Sequence, residues 1–251
     1  MAHPSQLNFA KLASENLFRG NWNGRNILEV GSADVNGSIR PFFQGSNYIG
    51  VDISPGKGVD VVGYGDKIDF GDLNFDLTIS CECFEHNPEW VETFLNMYRM
   101  TKENGFLVFS CASRGRPEHG TTRTTPINSP GTQSVGWDYY CNLNKKDFEK
   151  HFNLNSLFSW HFFCYNPKSK DLYFIGSKAN PEGNILDLPS LKKNIRRIDA
   201  FIPNKKNIRR ALFPGIWRSI KDLPLTISSY LPDPMFQNFR RAYLKLTKEG
   251  S

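Results

Sequence analysis

Five short apolar runs constrain this chain more than any other feature. "NILEVG" (26–31), "NYIGVDI" (47–53), "VDVV" (59–62), "FDLTISC" (75–81) and "GFLVFSCA" (105–112) are bounded by Gly, Asp or Asn. Runs of this kind read as strands of a parallel sheet covered on both faces. Between the fourth and fifth lies the clearest helix pattern, "NPEWVETFLNMYRMTKENG". Asn87 can cap it, Pro88 fits the first helical position, and Glu89 and Glu92 suit its positive end. Trp90, Val91, Phe94, Leu95 and Tyr98 form its apolar stripe, with Lys102 near the end and Gly105 after it. Residues 8–19 read as a leading helix, with Leu7, Leu12 and Leu17 or Phe18 on one face. Strand alternating with helix predicts an open α/β sheet.

The later segments complete that picture. "KKDFEKHF" (145–152) reads as a short helix. "NSLFSWHFFCY" and "DLYFIGSK" read as two strands joined by the turn "NPKSK". The expected fold is α/β: a Rossmann-like, seven-stranded, mostly parallel sheet with an antiparallel C-terminal hairpin and helices on both faces. Two units are expected, a main domain over 1–179 and a proline-punctuated, basic, helical C-terminal extension over 180–251. From Asn180 onward 14 Lys+Arg stand against 6 Asp+Glu, so the net charge of +6 belongs to that segment. Its two "KKNIRR" stretches, 192–197 and 205–210, suit either solvated faces of amphipathic helices or an anionic surface. Contact with a membrane surface or a protein is assigned to 190–221, and no nucleic-acid motif supports a nucleic-acid partner.

Composition excludes several classes. With 39% hydrophobic and 22% charged residues, wholesale disorder is not expected. No apolar run approaches the ~20 residues of a spanning helix. The first residues lack the basic start and apolar core of a signal peptide. Five cysteines, an odd number, do not suggest a disulfide framework, and "CEC" (81–83) has no second pair at zinc spacing. Reduced thiols, no metal and a cytoplasmic location are the expectation.

The first turn, "EVGSADVNGSIR" (29–40), suggests a cofactor. Glu29 ends one strand, Gly31 opens the turn, and Gly37 precedes a helix-like "SIRPFF" whose first N–H groups offer donors. Asp52 ends the second strand, where a carboxylate can hold two ribose hydroxyls. NAD and S-adenosylmethionine (SAM) both fit this far. The Gly-x-Gly-x-x-Gly that seats a pyrophosphate is broken by Ala33 and Asn36. The acid before Gly31 suits an ammonium group. Both points favour SAM.

The segment 26–112 resembles class I SAM-dependent methyltransferases of the type 11 kind. "ILEVGSADVNG" matches their first motif, "YIGVDIS" the strand ending in the ribose acid, and Phe84-Glu85-His86 the Glu-His pair after the fourth strand. "EVGSADVNGSIRPFF", "GVDISPGKGVDVV" and "GRPEHGT" resemble a bacterial subgroup associated with surface-polysaccharide genes. The resemblance implies that Glu29, Gly31, Ser32 and Gly37 lie by the methionine end of SAM, that Asp52 holds the ribose, and that Ile53 flanks the adenine. It places Asp66 toward the adenine amine over a loose alignment, and Cys81 and Glu82 near the methyl group. Two residues are inserted before Gly37, and Ala33 stands where the family has a second glycine.

On the acceptor side, methyl transfer to a hydroxyl needs alignment and a proton acceptor. His119, His86 and Glu85 are the catalytic candidates, with His86 equally readable as a helix cap. The polar stretch 113–143 is expected to be a substrate-side loop or lid. It carries Arg114, Arg116, Glu118, Arg123, Asp138, Tyr139 and Tyr140 as substrate candidates. The arginines suit an anionic acceptor such as a sugar acid or a nucleotide- or lipid-linked sugar, and the rings suit a sugar face. The reading is methyl transfer to oxygen of a small or carbohydrate-like acceptor. A non-catalytic SAM- or sugar-binding module and an RNA methyltransferase remain the alternatives.

Overall fold

The computed structural model describes residues 3–181, 183–198 and 223–249. Seven strands form one sheet in the order β3-β2-β1-β4-β5-β7-β6. They are β1 (Asn26–Val30), β2 (Asn47–Asp52), β3 (Val61–Val62), β4 (Phe75–Cys81), β5 (Thr101–Ala112), β6 (Trp160–Asn166) and β7 (Asp171–Ser177). Six run in one direction, while β7 is antiparallel to both neighbours, β5 and β6. This is the Rossmann-like α/β sheet with a C-terminal hairpin that the apolar runs imply. Chain order reverses across β1 and β4, so their carboxyl ends frame a switch-point crevice.

Alternation along the strands supplies two cores. Ile27, Ile79, Phe106 and Val108 point to one face, and pack with α1 (Pro4–Asn16) and α6 (Leu188–Ile195). Leu28, Val30, Leu107 and Phe109 point to the other, and pack with α2 (Trp90–Met100) and α4 (Lys145–His151). Successive residues of a strand face opposite ways, so apolar runs of this kind suit a sheet covered on both sides. Phe109 stacks between Phe148 and Phe174 at the centre of the second core, with Phe94 edge-on to Phe148.

Several boundaries differ from the sequence expectation. The leading helix begins a turn earlier, at Pro4, because proline fits the first helical turn. In α2 the buried face is Trp90, Thr93, Phe94, Met97 and Met100, while Leu95 is exposed. These buried positions keep the 3.6-residue period that Leu95 breaks. The helix stops at Met100, before Lys102, and β5 begins at Thr101 across a register irregularity. "SIRPFF" gives one 3-10 turn, Arg40–Phe42, rather than a helix with a full set of free N–H groups.

The 113–143 stretch holds a 3-10 turn at Pro126–Asn128 and a short helix α3 (Pro130–Ser134). A four-residue helix α5 (Leu154–Leu157) precedes β6. The last described helix is α7 (Asp233–Glu249). Leu191, Ile195 and Ile198 are buried in the α1-side core, so the apolar face of the first "KKNIRR" is covered there. The second, at 205–210, lies outside the described residues. Among the described residues no helix is long and apolar enough to cross a membrane.

Candidate active site

The carboxyl ends of β1, β2 and β4 and part of the 113–143 loop enclose a cavity of about 940 Å³, counted with its open mouth. The ladder sets its first wall. Glu29 registers with Gly50 on β2 and with Ile79 on β4, which aligns the three strand ends. Gly31 turns the chain after β1 with φ 85, and a Cβ there would lie 2.6 Å from Cys83 Cβ, so only glycine fits. Its N–H donates to the Val51 carbonyl.

Three carboxyl groups face this space. Glu29 is buried and accepts the Tyr48 hydroxyl at 2.8 Å. Burial pushes its pKa up to about 7, against the lowering effect of Tyr48. Asp52 accepts the Ala33 N–H at 3.0 Å, and burial raises it also. Glu82 adopts a left-handed backbone, φ 53, a strained setting for a residue with a side chain. That kink turns β4 into the 3-10 turn Phe84–His86. The Glu82 carboxylate accepts the Ser110 hydroxyl and faces His3 and Arg116. Burial opposes its ionisation, yet these cations hold it near 2.

Of the residues assigned to a cofactor, Glu29, Gly31, Ser32, Gly37, Asp52, Ile53, Cys81 and Glu82 line the cavity. Asp66 does not. Gly63 and Gly65 line it instead, because Gly65 packs against Val30 and Thr93 and brings backbone, not the next side chain, to the wall. Sequence reasoning missed Gln6, the Asn128–Thr132 segment and Trp137. Gln6 left a signal, a lone amide on the buried face of α1. Gly131 lies against Asp52 and Ser54, and Trp137 meets the Tyr64 ring at 5.5 Å, so the loop closes over the β2 end. Gln6 Oε1 and Ser32 Oγ are buried with no hydrogen-bond partner among the described residues. Unpaired polar atoms and acidic groups in one enclosed space suit a polar, cationic ligand.

The catalytic candidates form a second group behind this wall. His86 lines the cavity, while Glu85 is fully buried and the half-buried His119 does not line it. The His86 and His119 rings meet edge to face at 4.9 Å, with Tyr140 against both. Gly120, at φ 72, permits the approach: a Cβ there would fall 2.8 Å from His86 Cε1. Burial lowers the pKa of His86 well below 6.5, and that of His119 to about 4, so both rings are neutral. Burial, with the Glu82 charge, raises Glu85 to about 8.

The acceptor-side candidates do not line the cavity. Arg116 is spent on Asp171, at 2.9 Å, and on Glu82. Arg123 is spent on Glu118 and Asp138. Glu118 also takes Thr121 and Arg241 of α7. The Tyr140 hydroxyl donates to Asn142 Oδ1, and Asn142 in turn bonds Asp233 of α7. Tyr139 is half-buried, and burial raises its phenol. Arg114 stacks over Tyr165 and Tyr230. These groups hold the loop to itself and to α7.

A family model described as a methyltransferase domain matches residues 28–109, which run from β1 through most of β5. No curated protein matches the chain. Among solved structures, phosphoethanolamine N-methyltransferase 2 of Haemonchus contortus in complex with S-adenosyl-L-methionine is 15% identical, with a TM-score of 0.49 over 69% of this chain and 52% of that one. The chain thus spans about half the length of that protein. A Burkholderia thailandensis 1,6-didemethyltoxoflavin-N1-methyltransferase is 14% identical, with a TM-score of 0.48 over 70% of this chain and 80% of that one. A Bacillus halodurans protein titled a putative methyltransferase is 13% identical, with a TM-score of 0.46 over 68% and 99%. The matched methyltransferase-domain segment, about a third of the chain, is the part of the sheet that runs from β1 to β5.

Proposed function

We propose that the chain transfers a methyl group from SAM to an oxygen of a small or carbohydrate-like acceptor, of a surface-glycan-related class. One observation carries the cofactor side: Glu29 and Asp52 converge on a single acidic cavity at the sheet's switch point. In this reading Glu29 and Gly31 hold the amino-acid end, with Ser32, Gly37 and Gln6 beside it. Asp52 holds the ribose, Ile53 flanks the adenine, and Cys81 and Glu82 border the methyl group. The bound cofactor supplies a methyl on a cationic sulfur; transfer replaces an acceptor O–H by O–CH3 and releases one proton. In this reading the buried His86, with Glu85 and His119 beside it, eases that proton's departure.

The glycan class rests on the sequence resemblance. In this reading 1–179 is the catalytic domain. The 180–251 extension contributes α7, which braces the acceptor-side loop through Glu118 and Asn142. The seven substrate candidates then brace the acceptor-side loop from outside the cavity lining, and Arg114, which has no carboxylate partner among the described residues, is the one left to meet an anionic group. Five free thiols suit a cytoplasmic location.

Calorimetry with SAM tests the first half. Binding that Asp52→Ala weakens supports it, and wild type and variant both silent at millimolar SAM would remove it. A labelled-methyl assay against nucleotide sugars, glycolipid extract and total RNA tests the second. Label on RNA alone would overturn the acceptor class.

A further inference from the structure

Glu85, His86 and His119 make a constellation that a general-base reading leaves unexplained. Each offers a ligand atom within 4.8 Å of the others. Both Glu85 carboxyl oxygens, both His86 ring nitrogens and His119 Nε2 are buried without a hydrogen bond to another described residue. Glu85 is 0% and His86 4% exposed. Buried polar atoms are nearly always paired, so five orphans on three side chains, with one atom of each converging, call for a missing partner. Had the three groups served one another, they would be hydrogen-bonded.

We propose that these three side chains bind one first-row divalent metal ion, zinc by its donor set, beside the cofactor cavity. Two imidazoles and one carboxylate are a known set for a zinc site that keeps a coordination position open. Three atoms no more than 4.8 Å apart leave a point within about 2.8 Å of each, against ~2.0–2.2 Å for a formed bond, so closure needs only a small contraction. His119 is already set for ligation: Nδ1 lies 3.1 Å from the Pro117 carbonyl, which fixes the proton there and leaves the Nε2 lone pair free. The Tyr140 ring holds both imidazoles, and its own hydroxyl is engaged by Asn142. The nearby Arg116 does not stand against a cation as a bare charge, because Asp171 and Glu82 neutralise it.

His86 is the member that lines the cavity, so the ion would border that space. There it suits an acceptor oxygen, whose proton such an ion makes easier to remove. The proposal deepens the functional reading of this cluster; metal binding itself does not depend on methyl transfer. It also departs from the cysteine-based expectation of no metal, since the ligands come from a turn and a loop 33 residues apart in sequence.

The test uses the full chain, stripped with chelator and titrated with Zn2+, and separately with Co2+ as a coloured substitute. The expected result is one ion per chain and a Co2+ visible spectrum altered from that of the aqueous ion. His119→Ala, His86→Ala and the near-isosteric Glu85→Gln should each weaken Zn2+ binding by more than about 100-fold. The exposed His151→Ala should bind as wild type. Circular dichroism identifies variants that fail to fold, and Glu85→Gln keeps the shape if the alanine variants do not. Substoichiometric metal on folded wild type, or unchanged affinity in the three variants, would overturn the proposal. SAM calorimetry on the same stripped sample separates the two readings: SAM binding without Zn2+ binding removes the metal alone, and the reverse removes the cofactor geometry alone.

Discussion

The two walls of the cavity are built by different means. The wall at the ends of β1, β2 and β4 is placed by backbone hydrogen bonds, with Glu29 opposite Gly50 and Val30 opposite Val51. The facing wall belongs to 113–143, where short local backbone turns shape the lining and side chains behind it tie the loop together. Glu118 gathers Thr121, Arg123 and Arg241, and Asn142 bonds Asp233. A ladder works through groups that nearly every residue carries, so its geometry survives most substitutions. A side-chain network works only where two distant residues are chemically matched. The strand wall should therefore be robust and the loop wall specific to this sequence.

The seam between them should show the largest effect. His3, ahead of α1, lies 3.1 Å from Asp171 and 3.6 Å from Glu82, and Arg116 of the loop joins the same pair of acids. Burial opposes the charge on His3, yet the two carboxylates raise its pKa from 6.5 to about 9. The folded value exceeds the unfolded one. The stabilisation is therefore complete below pH 6.5 and is lost as pH rises through about 9. Thermal unfolding from pH 6.5 to 10 should lose up to about 3 kcal/mol. His3→Ala should flatten that profile, and a wild-type profile already flat would remove His3 as the seam.

Next in size is the strand wall itself. Asp52→Ala should weaken SAM binding about 30- to 100-fold, the worth of a charge-assisted hydrogen bond lost from an enclosed site. Smaller is the effect of Arg241→Ala, about fivefold in kcat/KM for the acceptor, with SAM affinity changed less than about twofold. Equal losses in both quantities would show that the two walls move together. Smallest is Trp137→Ala, which removes the ring contact with Tyr64. A loss of about threefold in SAM affinity is expected, and no change would place Trp137 outside the closed loop.

The strand wall was readable in the sequence because its signals are local. An apolar run, a glycine that must take positive φ, and an acid at the next strand end locate Glu29, Gly31 and Asp52 without knowledge of any distant residue. Where local signals competed, the reading slipped. "TKEN" continues a helical pattern, yet Thr101 belongs to β5, where its hydroxyl pairs with Thr78. The loop wall was less readable. Arg116 and Arg123 look like ligands for an anion in sequence, but in the structure internal carboxylates hold them. Gln6 and Gly131 join the cavity from segments with no motif of their own.

The sequence by itself determined the sheet, its crossover and the acidic turn that lines the cavity, since periodicity and glycine geometry act over a few residues. Only the tertiary structure decided which charges are spent and which remain. Arg241 meets Glu118 across 123 positions, and His119 meets Glu85 and His86 across a loop that Gly120 bends. Burial that shifts a proton, and a partner that cancels a charge, are properties of the space around a residue. Adjacent letters do not encode that space.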